Sequence, residues 1–407
     1  MNHFLSLLRD GGFFTRERAY LWSGGFLIAF VAAILFMAAT AHGLNDYKNR
    51  PLGTDFSCFY AAGTLVRDGA PEAAFDPARL DEQNRAAFGR AAPSYGWFYP
   101  PFLLPVVGAL AALPYLPALI LWLAATLALY LAALALLLQR WPQIAQGRLW
   151  LLLALAFPAV FVNLTHGQNG FLTAALLAGA LALLDKRPIV AGILFGLIAY
   201  KPQFGILIPL VLVVSARWRC LAAASATVAA LVLFATAMFG TDIWSAFFAA
   251  AHFSRTVVLE QGGPGFEKMQ SAFALVRLWG GSADAGYAVQ ILVTVGVAAA
   301  LEILWHSQAS ASCKGAGLCL GVLLATPYCV DYDMMLLAPA IALLAADGVT
   351  RDFFPYEKTT LAALWLVPIV ARGAAGLAHI PLGLIVMIFA FAFVVRRGVR
   401  QTVPAIA

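Results

Sequence analysis

A carboxylate beside a membrane can take a proton from an attacking hydroxyl, and Asp55, in Gly53-Thr54-Asp55-Phe56, lies shortly after the first long apolar run. The same residue type also makes an Asx turn or the N-cap of a helix over residues 56–67. Tyr99 opens an apolar helix at Tyr99-Pro100-Pro101, where proline in the first turn is ordinary. His166, Gln168 and Asn169 flank Gly167 between two apolar helices. A short connection needs the glycine but not three hydrogen-bonding side chains, so this is either turn chemistry or a polar ligand site. Lys201-Pro202-Gln203 interrupts the apolar run 189–215. Proline frees a backbone carbonyl that Lys201 can satisfy; alternatively Lys201 neutralises a phosphate, and packing alone is a poor reason for a lysine there. Arg255, Lys268 and Arg277 are less specific basic candidates that also suit lipid headgroups. Asp331-Tyr332-Asp333 follows Thr326-Pro327-Tyr328 at a helix junction. Two acids at i, i+2 can hold Mg²⁺ or a sugar hydroxyl, or cap the helix that follows. Glu260 and Glu267 read as solvated loop charges.

These residues stand out because the rest of the chain is apolar. Hydrophobic residues make up 62% and charged residues 11% of the 407 residues. A soluble domain carries about a quarter charged residues, so lipid is the solvent here. A spanning helix needs about 20 apolar residues, and the apolar runs predict an all-α polytopic membrane protein of about 10–12 transmembrane helices. Several runs are short or broken by proline. The five cysteines have no metal-ligand spacing, and an odd number argues against a disulfide framework. No metal-ligand set emerges, so no cofactor is expected, with a divalent cation left open. The basic balance fits the cytoplasmic turns of a membrane protein and does not call for nucleic acid.

Two long polar connections, 43–98 and 240–283, separate the apolar runs. Asp76 to Phe88 reads as a short helix with Pro77 at its first position. The apolar run 21–41 is longer than a signal-peptide core and reads as a retained first helix. If the N-terminus and the connections near 139–148, 185–188, 215–219, 306–315, 347–358 and 396–401 share one face, that face holds most of the Lys and Arg and a minority of the Asp and Glu. This is the positive-inside pattern. It predicts a cytoplasmic N-terminus, a multi-pass protein of the plasma (cell inner) membrane, and two large non-cytoplasmic loops at 43–98 and 240–283. Residues 1–400 form one integral membrane domain, followed by a 401–407 tail. Pro114 complicates the parity, because 101–138 must cross an odd number of times.

The sequence has no P-loop, no dinucleotide-binding glycine fingerprint, no H-E-x-x-H and no nucleophile elbow. No stretch is long enough for a separate soluble catalytic domain, so any substrate must be presented by the membrane. In order, Thr54-Asp55-Phe56-Ser57-Cys58-Phe59-Tyr60-Ala61-Ala62-Gly63, Gly69-Ala70-Pro71, Phe75-Asp76-Pro77, Tyr99-Pro100-Pro101, Asn163 through Gly167-Gln168-Asn169, Lys201-Pro202-Gln203, and Thr326-Pro327-Tyr328 with Asp331-Tyr332-Asp333 resemble the family-87 glycosyltransferases of the GT-C superfamily. The resemblance covers about residues 20 to 345. It implies a GT-C-like fold, a polyprenyl-phosphate sugar donor, typically mannose-bearing, and inverting transfer to a lipid-linked or glycan acceptor on the non-cytoplasmic face. By motif position Asp55 is then the general base, and Lys201, with Arg255 as a further basic candidate, holds the donor phosphate. Tyr99, His166, Gln168, Asn169, Gln203, Asp331 and Asp333 then line the sugar and acceptor cavity. Thr326 stands where the family pattern usually has serine, which bears on acceptor choice. The rival from another class is a secondary transporter or lipid flippase, which also uses broken helices. The polar motifs gather on one face and the first loop has no counterpart in the second half, and that asymmetry favours the transferase. A third reading is a non-catalytic subunit of an envelope-assembly complex, for which Asp55 would tolerate alanine.

Overall fold

The computed structural model describes residues 2–93 and 95–402. Among them seven helices are long and apolar enough to cross a membrane: Arg16–Ala39, Tyr115–Leu138, Trp218–Phe239, Ala283–His306, Asp331–Arg351, Glu357–Ala378 and Leu382–Gln401. The pair Leu149–Leu155 and Pro158–His166, bent by 42°, makes an eighth if counted as one span. The described residues contain no named strand, only isolated bridges such as Met269 with Val330. The chain is therefore the expected all-α polytopic membrane protein.

The remaining apolar runs form shorter helices, Pro101–Leu110, Gly170–Leu183, Pro188–Tyr200, Pro202–Val214 and Ala311–Leu324, which is why the long helices number fewer than the ten to twelve expected. Two causes are visible. Prolines at 101, 105, 188, 202 and 209 restart helices. And the helices Gly170–Leu183 and Ala311–Leu324 are buried along almost their whole length. Fourteen residues rise only about 21 Å, short of the roughly 30 Å hydrocarbon layer. A helix jacketed by protein need not match that thickness, whereas Trp218–Phe239, with only 11% of its apolar window buried, has full spanning length.

The parity problem resolves locally. Residues 104–110 form a short helix packed on Phe56–Arg67, where a Cβ on Gly63 would lie 2.1 Å from the Val107 carbonyl oxygen. Only Tyr115–Leu138 is long enough to cross. In the first loop Pro77–Phe88 is the expected helix, with Asp76 accepting from the Ala78 amide at 2.8 Å. The tail starts later than 401: Gln401 belongs to the last helix and donates to Asp347 at 3.0 Å, while 403–407 lie outside the described residues.

The charge-sorted connections meet at one end of the molecule. Asp185 pairs with Arg140 at 3.3 Å and Arg217 at 2.6 Å. Arg397, buried, pairs with Asp347 and with Glu357 (2.6 Å), and the Tyr356 amide donates to the Arg9 carbonyl at 2.7 Å. From this end three segments run inward and return: 158–183 turning at 166–169, 188–214 turning at Lys201, and 311–351 turning at 326–333. Their turns meet one another.

Candidate active site

The meeting of these turns is dictated by backbone contacts. Gly167 has φ +63°, a left-handed conformation in which glycine is unstrained, and a Cβ there would meet the Phe56 Cβ at 2.5 Å. The close approach lets the Asp55 amide donate to the His166 carbonyl at 3.0 Å. Asn163, fully buried, accepts from the Gly170 amide at 2.8 Å and donates to the Tyr332 carbonyl at 2.9 Å. Three separate stretches of sequence are thus pinned around one point.

Asp55 precedes the helix Phe56–Arg67 but its side chain caps nothing there. Instead Oδ2 accepts from the Gln168 Nε2 at 2.9 Å. Gln168 Oε1 accepts from the Asn169 amide at 3.1 Å and from the Tyr99 hydroxyl at 3.3 Å. Burial first, and then the Asp55 charge, push the Tyr95 hydroxyl up to about 12. The His166 Nδ1 lies 2.8 Å from the Val162 carbonyl, so it carries the proton, and Nε2 has no hydrogen-bond partner among the described residues. Asn169 is fully buried and neither its Oδ1 nor its Nδ2 has a partner. An amide so placed is a costly feature in a finished core.

Lys201 does not satisfy a proline-freed carbonyl. Its Nζ pairs with Asp333 Oδ1 at 2.5 Å, both side chains buried, and lies 4.9 Å from the centre of the Tyr332 ring. Asp333 Oδ2 accepts from the Val330 amide at 3.0 Å, so this acid also caps its turn, and Asp331 Oδ1 accepts from the Tyr332 amide at 2.9 Å. Among the described residues no three His, Cys, Asp or Glu side chains converge as a metal set.

The structure therefore brings together Asp55, Tyr99, His166, Gln168 and Asn169, and joins Lys201, Asp331 and Asp333 to them through Asn163 and Tyr332. Gln203 is half-buried and its side chain makes no hydrogen bond among the described residues. Arg255 is not joined to the cluster. It stands exposed on the second loop, bonded to Glu260 at 2.8 Å and lying over the Tyr287 ring. That hydrogen bond, with a second from Tyr287, holds the Glu260 carboxyl below its usual range, so Glu260 is a paired acid rather than a loosely solvated one. Sequence reasoning missed Tyr200 and Tyr332. Tyr200 bonds Thr173 and donates to the Asn169 carbonyl at 3.1 Å. The available signal was that each tyrosine adjoins a charge, Lys201 or the two aspartates. A groove of about 560 Å³ between Tyr60, Gln83 and Leu113 opens elsewhere on the first loop and does not include Asp55.

No curated protein and no solved structure matches the chain. Residues 97–327 match the model of glycosyltransferase family 87. The match takes in Tyr99, the 166–169 turn and Lys201, and stops short of Asp55 on one side and of Asp331 and Asp333 on the other. It spans more than half of the residues, and the chain belongs to glycosyltransferase family 87.

Proposed function

We propose that this membrane glycosyltransferase moves a hexose, mannose in the first instance, from a polyprenyl-phosphate donor to a lipid-linked or glycan acceptor, with inversion at the anomeric carbon. The proposed setting is the non-cytoplasmic face of the plasma (inner) membrane, with the N-terminus in the cytoplasm. The observation that carries the reading is Asp55: a carboxylate that caps no helix, with one oxygen held by Gln168 and the other without a partner among the described residues. Asp55 accepts the proton of the acceptor hydroxyl as its oxygen attacks the anomeric carbon. The bond to the phosphate oxygen breaks on the opposite side, and the departing phosphate keeps that electron pair. Inverting transfer needs this pairing of a base with positive charge on the leaving group.

Lys201 supplies that charge. An ammonium has three donors, and Asp333 occupies one, so a phosphate can be taken without breaking the pair. The side-chain amide of Asn169 and the Nε2 of His166, both without partners among the described residues, offer the donor and acceptor groups that a sugar ring requires. Tyr99, Gln203, Asp331 and Asp333 complete the lining, and Arg255 meets the donor or lipid headgroups from the second loop. The same broken helices would serve a transporter, but membership in a transferase family favours group transfer.

The test is sugar transfer from polyprenyl-phosphate-mannose in membranes carrying matched amounts of the wild type or Asp55→Asn. The expected result is transfer by the wild type and a loss of about 10²–10⁴-fold in the variant. Full activity in Asp55→Asn removes the base assignment. No transfer by the wild type to any of a panel of alkyl mannosides and lipid-linked glycans counts against the donor.

A further inference from the structure

Resting on the reading of Asp55 as base, we infer that Gln168 is a positioning residue that fixes which way the Asp55 carboxylate points, rather than a residue that binds sugar. A glutamine amide can ordinarily be turned either way. Here its orientation is forced. The atom 3.1 Å from the Asn169 backbone N–H must be an acceptor, because that N–H can only donate, and the Tyr99 hydroxyl lies 3.3 Å from the same atom. That atom is Oε1, so Nε2 is the group facing Asp55 Oδ2 at 2.9 Å. Gln168 is 4% exposed, and its amide is spent on Tyr99, Asn169 and Asp55, leaving little to offer a ligand.

The consequence is directional. Asp55 is held twice by one turn, through its amide on the His166 carbonyl and through Oδ2 on Gln168. Its side chain cannot rotate without breaking the second bond, so Oδ1 is the oxygen presented to an incoming hydroxyl. The other titratable groups facing Asp55 are Cys58 on the following helix, Tyr95, Tyr115, Tyr328, Asp331 and Tyr332 around it, and the adjoining His166. Most of these are neutral near pH 7 and Asp331 is another acid. Gln168 is the one direct hydrogen-bond donor to the carboxylate among the described residues.

The full-length protein in nanodiscs allows a readout that needs no substrate. Carbodiimide with an amine labels protonated carboxyls, and peptide mass spectrometry follows the pH midpoint of Asp55 labelling. Gln168→Leu keeps volume and removes the donor; its midpoint is expected to move upward from that of the wild type. Gln168→Glu sets a second carboxylate beside the first and is expected to raise it further, since two acids sharing a site resist double ionisation. Tyr99→Phe, which leaves the Asp55 bond intact, serves if the Gln168 variants fold poorly, and is expected to give a smaller rise. In transfer from polyprenyl-phosphate-mannose, the acidic limb of kcat/KM is expected to move with the midpoint, and kcat to fall roughly 10- to 100-fold in Gln168→Leu. Unmoved midpoints in folded variants overturn the inference, as does a rise in donor or acceptor KM with kcat unchanged, which would make Gln168 a binding residue. A moved midpoint alongside an active Asp55→Asn keeps the Asp55–Gln168 link and removes the base reading instead.

Discussion

Asp46, at the start of the first loop, accepts four hydrogen bonds: from the Lys48 and Arg50 amides at 2.9 Å, and from the Arg50 guanidinium at 3.0 and 2.7 Å. Burial works against its charge, but these bonds outweigh it and hold the carboxyl below its ordinary range. A depressed native value stabilises the loop fully above the unfolded carboxylate value of about 3.9, and that stability is lost as pH falls through the native value. Asp46→Asn is expected to cost about 2 kcal/mol at neutral pH and to flatten the acid limb of a thermal-melt profile. An acid limb parallel to the wild type would show that Asp46 contributes nothing to it. Neither this nor the Gln168 partner of Asp55 was legible from residue type. Asp before an apolar helix predicts a cap, and Asp76 is one. Asp55 is not, because Gly167, distant in sequence, brings an amide donor to its carboxylate. Only the approach of two turns separates the cases.

At the scale of elements, the pair Lys201–Asp333 joins the break between Pro188–Tyr200 and Pro202–Val214 to the turn at 331–336. The sequence showed that a lysine beside proline inside an apolar run needs a partner; it did not show that the partner lies more than a hundred residues away. Helix existence was legible from apolar runs and proline positions. Helix role was not, since hydropathy alone does not tell a protein-jacketed helix of 14 residues from a lipid-facing span. Removing one member of a buried pair leaves a bare charge, so Lys201→Met is expected to destabilise by about 3–5 kcal/mol. The double variant Lys201→Met with Asp333→Leu removes both charges and is expected to recover most of that stability. If Lys201 also holds the donor phosphate, the double variant stays inactive although folded. Recovery of transfer along with thermal stability would make the lysine structural only.

Over the whole molecule, charge is divided between two ends with different duties. One end gathers Asp55, Gln168, Lys201 and the paired aspartates where the three inward-running segments turn. The other ties the bases of those segments with Asp185 and with Arg397. Arg397 is 1% exposed and is bonded to Asp347, to Glu357, and to the carbonyls of Asp347 and Asp352 at 3.1 and 2.9 Å. It thereby anchors the last helix to Asp331–Arg351, the span whose other end carries Asp331 and Asp333. Packing of helices about 21 Å long separates this anchor from the proposed active site, so its loss should act on the folded population and not on the reaction. Arg397→Met leaves Glu357 without its cation and Asp347 with only the 3.7 Å contact to Arg351, and is expected to cost about 3–5 kcal/mol. The thermal midpoint and the yield of folded protein should fall. The donor KM, and the rate per folded molecule, should match the wild type. A change in donor KM at full folding would mean that the two ends are coupled through Asp331–Arg351, and that the anchor helps to set the geometry of the turn it leads to.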